Sequence, residues 1–161
     1  MSHKKIKTAK ELKALISDCK KQAKRVAFTN GCFDILHYGH VKYLEEAKKL
    51  SDILIVGVNS DNSVKRLKGA RRPFYALKDR MKVLAGLSSV DYVVAFKEDT
   101  PFKIIKYLMP DILVKGADYR LTDIVGSALV KSYGGCVKRI KYIKGFSVSS
   151  LIKKIAKRYG R

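Results

Sequence analysis

The run Ile53-Leu54-Ile55-Val56-Gly57-Val58 carries no charge and shows no alternation of polar and apolar residues. A strand with one wet face alternates; a short continuous apolar run suits a strand covered on both faces. Strands of that kind belong to parallel sheets, whose neighbours are joined by crossovers, ordinarily helices. The sequence on either side of the run therefore has to supply helices.

It does so repeatedly. Thr8 suits the N-cap of a helix reaching about Lys24, with Leu12, Leu15, Ile16 and Cys19 at helical spacing. Arg25 to Thr29 is a β-prone run that ends in the turn signal Asn30-Gly31. Val41, Leu44, Ala47, Lys48 and Leu50 trace a helix face ahead of the apolar run. The alternation continues with a helix over Leu77 to Leu87, a strand over Tyr92 to Phe96, a helix over Thr100 to Leu108 and a strand over Ile112 to Lys115. A helix over Thr122 to Ser132, a strand over Val137 to Ile143 and a last helix from Ser147 complete it.

The expected fold is α/β, a doubly wound, mostly parallel five-stranded Rossmann-like sheet with helices on both faces. At 161 residues one domain is expected, residues 26–161, with residues 1–25 forming a basic N-terminal helix packed on it. Ligands of such sheets bind beyond the carboxyl ends of the strands. The stretches of interest are therefore Asn30 to His40, Asn59 to Lys68, Lys97 to Thr100, Lys115 to Arg120 and Lys144 to Ser150.

Several classes are disfavoured by composition. The longest nearly uncharged apolar stretches, Ile53 to Asn59 and Val83 to Val90, fall far short of the roughly 20 residues of a membrane span. The N-terminus lacks the apolar segment of a secretory signal, so a cytoplasmic location is expected. Cys19, Cys32 and Cys136 form no Cys-x-x-Cys pair, which points to reduced thiols rather than a disulfide framework or zinc ribbon. The net charge of +21 is concentrated at the ends: residues 1–25 carry nine Lys/Arg against two acids, and residues 138–161 nine against none. Such a balance suits solvated helices, phosphorylated substrates or an anionic macromolecule.

The first of the strand-end stretches holds His37 and His40 around Gly39. With a helix starting near Gly39, histidines three apart share a side of its first turn, where backbone amides and the helix dipole favour phosphate. Asn30-Gly31 lets the chain turn sharply and approach a ligand closely. No further residues of suitable type lie at metal-ligand spacing, so the histidines are not expected to hold a metal.

Gly31-Cys32-Phe33-Asp34 followed by His37-Tyr38-Gly39-His40 resembles the G-x-F-D…H-x-G-H signature of the HIGH-type nucleotidyltransferase superfamily. Within it the chain is most similar to the heptose 1-phosphate adenylyltransferases, over Val26 to Ile152. The similarity rests on Cys32, Val56 to Asp61, Leu67-Lys68-Gly69, Arg72-Pro73, Asp79-Arg80, Glu98 to Pro101 and Pro110 to Gly116. The resemblance implies a transferase domain joining AMP from ATP to a phosphorylated small molecule, with Mg²⁺ as cofactor. It implies catalytic roles for His37, His40 and Lys42. It implies nucleotide and phosphate contacts from Thr29, Asn30, Gly31, Cys32, Phe33, Gly39, Lys68, Arg80, Ser147 and Ser149. Asp34, Asn59, Asp61, Arg72, Lys115, Gly116 and Asp118 are the implied acceptor contacts. A homodimer is also implied. A chain of this length leaves no room for the sugar kinase domain of bifunctional members, so a separate kinase is expected as pathway partner.

The chain departs from the heptose branch at Tyr75-Ala76, Ala117, Phe146 and Val148. Cytidylyl transfer to glycerol 3-phosphate and adenylyl transfer to flavin mononucleotide stay open as alternatives. From another class, so does a basic nucleic-acid-binding module, although Tyr142, Phe146 and Tyr159 interleave only sparsely with the cations.

Overall fold

Five parallel strands form one sheet in the order β3-β2-β1-β4-β5 in the computed structural model, which describes residues 2–141, 143 and 145–160. The strands are β1 (Val26–Gly31), β2 (Ile53–Asn59), β3 (Tyr92–Phe96), β4 (Ile112–Gly116) and β5 (Cys136–Ile140). Between and around them run α1 (Ala9–Lys21), α2 (Tyr38–Lys48), α3 (Asp61–Lys68), α4 (Leu77–Ala85), α5 (Phe102–Leu108), α6 (Ser127–Ser132) and α7 (Val148–Tyr159). The strand order grows outward from β1 in one direction and from β4 in the other. The doubly wound parallel sheet expected from the sequence is therefore present.

Alternate side chains of the strands enter two cores. Ala27, Leu54, Val56, Val58 and Val114 pack with Tyr43, Leu44, Ala47, Met81 and Leu84 of α2 and α4. Val26, Phe28, Ile55, Val94 and Leu113 pack on the other face with Leu12, Ile16, Cys19, Ile105, Leu108 and Val130 of α1, α5 and α6. Burying each large apolar side chain contributes about 1.5–3 kcal/mol, so both cores depend on the apolar runs being two-sided.

Aspartates fix where the strands begin. Asp111 accepts from the Val26 amide at 2.8 Å, and Asp91 accepts from the Leu54 amide at 2.7 Å. With the starts pinned, the register along β1 and β2 brings Gly31 opposite Val58 and aligns the carboxyl ends.

Some boundaries differ from the sequence reading. The stretch after β2, to which that reading assigns no helix, contains α3, which Ser60 caps by accepting from the Ser63 amide. Only Ser63 and Val64 of this helix are buried, so it has little apolar periodicity to read. The helix expected over Thr122 to Ser132 is divided into a 3-10 turn (Leu121–Asp123) and α6, because Gly126 adopts φ 89°, which ends a right-handed helix. α1 stops at Lys21, short of Lys24, and Ala23 takes φ 55° just beyond. The strand expected over Val137 to Ile143 ends at Ile140; Tyr142 and Lys144 lie outside the described residues.

Candidate active site

β1 ends in Asn30-Gly31, and the chain crosses Cys32-Phe33-Asp34 before entering α2 at Tyr38. β1 pairs with β2 on one side and β4 on the other, so this crossing lies at the point where the strand order reverses. A cleft of about 520 Å³ opens there. Phe33 sits in the left-handed region at φ 46°, an unfavoured backbone conformation for a bulky residue, and its ring lies 5.4 Å from that of His40.

α2 begins differently from α1, α3 and α7. Thr8, Ser60 and Ser147 cap those helices with side-chain oxygens, whereas His37 at the start of α2 makes no side-chain cap bond. The His40 amide bonds to the His37 carbonyl at 2.9 Å, and the amides of Tyr38 and Gly39 are left for an external acceptor, in a position where the helix dipole favours negative charge.

His37 and His40 stack with ring centroids 3.9 Å apart. Their Nδ1 atoms are buried without a protein partner. Burial holds both rings below the ordinary histidine range, and His40, which also feels His37, is lowered to about 4. Both are neutral near pH 7, each with one N–H to donate. Gly39 is needed between them: a Cβ there would stand 3.0 Å from Phe146 Cβ and 3.1 Å from His37 Nδ1. Phe146, from the segment leading into α7, lies over this pair, 6.2 Å from His37 and edge-on to Tyr38 at 5.5 Å.

Two arginines brace the loops around the cleft. The buried Asp34 forms an ion pair with Arg72 and accepts from the amides of Phe74 at 2.7 Å and Tyr75 at 3.2 Å. Arg80, fully buried, donates to the backbone oxygens of Cys32, Asn59 and Tyr75 and to the Asp61 carboxylate. A planar guanidinium with five donors is suited to such a junction; an ammonium is not.

Lys115, at the end of β4, donates to Asn30 Oδ1 and lines the cleft. Burial lowers it to about 8, and the charge of Asp118 opposes that shift. It is a partly desolvated cation that gains from a phosphate nearby.

Of the residues singled out from sequence, Asn30, Gly31, Cys32, Phe33, Asp34, His40, Asn59, Lys68, Arg72, Lys115 and Ser149 line this one cleft. Thr29 is buried behind it, bonded to Tyr43 at 2.8 Å. The remaining residues occupy other settings. Lys42 pairs with Glu45 at 3.5 Å and Glu46 at 3.1 Å along α2, outside the cleft. Arg80 and Asp61 are engaged with each other and with backbone, and Asp61 also accepts from the Leu77 amide. Ser147 caps α7, Asp118 is exposed in the turn after β4, and Gly116 is buried at its end. The cleft also contains residues to which the sequence reading gave no site role: Tyr43, Leu67, Asp99, Thr100, Pro101, Tyr119, Asp123, Ile124 and Val125. Asp99 and Tyr119 lie in strand-end stretches, which was the available signal. Among the described residues no three His, Cys, Asp or Glu side chains gather into a metal-binding group.

Residues 28–151 match the cytidylyltransferase-like family. The chain is similar to the bifunctional protein HldE of Geobacter sulfurreducens, with 49% identity over 156 residues, 97% of this chain and 32% of the relative. It is similar to the bifunctional protein HldE of Pasteurella multocida, with 57% identity over 145 residues, 90% of this chain and 30% of the relative. The chain thus spans about a third of the length of the curated relatives it matches. Among solved structures, a lipopolysaccharide core biosynthesis protein from Thermoplasma volcanium superposes with a TM-score of 0.63 and 28% identity, over 76% of this chain and 99% of that one. A pantoate-beta-alanine ligase from Francisella tularensis shares the fold, with a TM-score of 0.63 at 16% identity, over 95% of this chain and 76% of that one.

Proposed function

The chain belongs to the cytidylyltransferase-like family of nucleotidyltransferases, and on that premise we propose that it transfers AMP from ATP to a sugar 1-phosphate, releasing ADP-sugar and pyrophosphate. A heptose 1-phosphate is the acceptor we favour, on the strength of the similarity to HldE and to a lipopolysaccharide core biosynthesis protein.

The observation that carries the chemistry is the pair of neutral, stacked histidines at the uncapped start of α2, of which His40 lines one cleft with Lys68 and Lys115 and His37 stacks behind it. A phosphate oxygen of the acceptor, already ionised, attacks the α-phosphorus. A new P–O bond forms, the bond to pyrophosphate breaks, and the leaving group takes the electron pair. No proton has to be removed, so the site needs position and charge stabilisation rather than a general base. In this reading His37 and His40 donate to the phosphate oxygens, the first-turn amides of α2 add fixed donors, and Lys68 and Lys115 offset the charge of two phosphorylated substrates. Mg²⁺ enters with ATP as part of the substrate, held chiefly by phosphate oxygens and water as this ion prefers.

Lys42 is better read as a surface partner of Glu45 and Glu46, and Arg80 as a structural brace. A sugar 1-phosphate has to be supplied by phosphoryl transfer to a sugar, so a sugar kinase activity precedes this one. We include a homodimer and a cytoplasmic location in the same reading.

The test is a product assay with ATP or CTP against heptose 1-phosphate, hexose 1-phosphates, glycerol 3-phosphate and flavin mononucleotide, following pyrophosphate and the nucleotide conjugate by mass. ADP-sugar and pyrophosphate in equal amounts are expected. Faster turnover with CTP, or of glycerol 3-phosphate or flavin mononucleotide over every sugar phosphate, would overturn the assignment.

A further inference from the structure

The cleft differs chemically on the two sides of β1. Toward β4 it is walled by Tyr119, Ile124 and Val125 beside Lys115, with Asp123 turned to Arg120, and the flat and branched surfaces suit a nucleobase. Toward β2 and β3 it presents Asn59, Lys68, Asp99 and Thr100. Three carboxylates line the cleft: Asp34, engaged by Arg72 and the Phe74 and Tyr75 amides; Asp123, engaged by Arg120 and Thr122; and Asp99, the one on the β2 and β3 side, where a bare carboxylate would repel an anion.

Arg66 removes that difficulty. Its Nε donates to Asp99 Oδ1 at 2.8 Å and Oδ2 at 3.1 Å, its Nη2 lies 2.7 Å from Oδ1, and the same Nη2 donates to the Lys97 carbonyl at 3.1 Å. The loop bearing Asp99 is tied down again where Ser63 Oγ donates to the Glu98 carbonyl at 2.9 Å and Asn59 Nδ2 donates to Ser63 Oγ at 3.0 Å. Asp99 is therefore held in place and its charge offset. Its two oxygens offer about four acceptor positions, which one guanidinium does not exhaust. The transfer step requires no carboxylate, and a triphosphate disfavours one. A hydroxylated ligand, rich in donors, is what such a fixed acceptor matches.

Resting on the sugar 1-phosphate reading above, we propose that Asp99, positioned by Arg66, is the specificity-determining group for the acceptor, accepting hydrogen bonds from hydroxyls of its sugar body, with Thr100 as a second contact. The acceptor phosphate then lies toward Lys68 and the histidines, and the nucleotide occupies the β4 side.

The experiment compares wild type, Asp99→Asn and Thr100→Val in steady-state kinetics with MgATP and either a sugar 1-phosphate or glycerol 3-phosphate. Asp99 and Thr100 are both exposed, so thermal melts of the variants are expected to match wild type. For Asp99→Asn the KM for the sugar 1-phosphate should rise about tenfold, as expected for losing a hydrogen bond to a charged group. The KM for ATP should change less than about twofold, because the nucleotide makes no contact there. Preference for the sugar over glycerol 3-phosphate should shrink, and Thr100→Val should give a smaller rise of the same kind. An unchanged KM for the sugar, or equal rises for sugar and ATP, overturns this proposal alone. Wild-type enzyme that turns over no sugar 1-phosphate overturns the transfer reading and this proposal with it.

Discussion

Arg80 Nη2 lies 2.8 Å from the backbone oxygen of Asn59, so a fully buried guanidinium holds the carboxyl end of β2. The same side chain holds Cys32, just past β1, and Asp61 at the start of α3. Replacing it by methionine leaves buried carbonyl oxygens without a donor. Arg80→Met should cost about 3–5 kcal/mol of stability in urea unfolding. Arg80→Lys should recover little, since an ammonium lacks the planar fork. A methionine variant as stable as wild type would show that the clamp carries no energy.

His40→Ala should lower kcat by about 100-fold or more, the usual effect of removing one donor to transition-state charge. The fold should persist in circular dichroism, because His40 contributes to neither of the two apolar cores. If activity per folded molecule is unchanged, the histidine pair is not the reactive centre.

Stability should depend on pH through the same residue. Folding lowers His40 from 6.5 to about 4, so the unfolded chain takes up the proton first as the solution is acidified. The contribution is fully present above about pH 6.5 and is lost as pH falls toward 4. Unfolding free energies from urea melts at pH 7 and pH 5 should differ by about 1–2 kcal/mol. His40→Gln should flatten that part of the profile, and His37, shifted in the same direction, adds to what remains.

Lys115 gives the opposite edge of the profile. Burial lowers it to about 8, so the folded protein releases this proton before the unfolded chain does. Stability from this group should rise between about pH 8 and 10.5. Affinity for a phosphorylated ligand should fall over the same range as the cation is lost, and Lys115→Met should remove that fall. Calorimetric titration of ATP at pH 7 and pH 9 on both proteins measures it.

What the sequence makes legible follows from how many residues report one fact. Ile53 to Val58 forms a two-sided strand because each of its side chains meets a core, and every one of them says so. The turn from Gly31 to His40 is legible because its glycines and histidines fall where a strand end meets a helix start. α3 is hidden because Ser63 and Val64 alone are buried, leaving only end signals, Ser60 before it and Gly69 after it, with no apolar stripe between them. Arg80 reads as a phosphate-binding cation because its partners, Cys32 and Asn59, contribute backbone oxygens that no side-chain pattern discloses. The Lys42 pairing was readable, since Glu45 and Glu46 stand three and four residues on along a helix. Asp99 depends on Arg66 reaching from α3, a relation between a helix and a loop that exists only after folding.

The uncapped start of α2 gives the substrate a place in the architecture. A phosphate seated on the first-turn amides would do for this helix what Thr8, Ser60 and Ser147 do for three others. Bound nucleotide then acts as secondary structure as well as reactant, and amide hydrogen exchange near Tyr38 and Gly39 should slow when it arrives and quicken when pyrophosphate leaves. A turn that is complete only during turnover couples local order to the reaction itself.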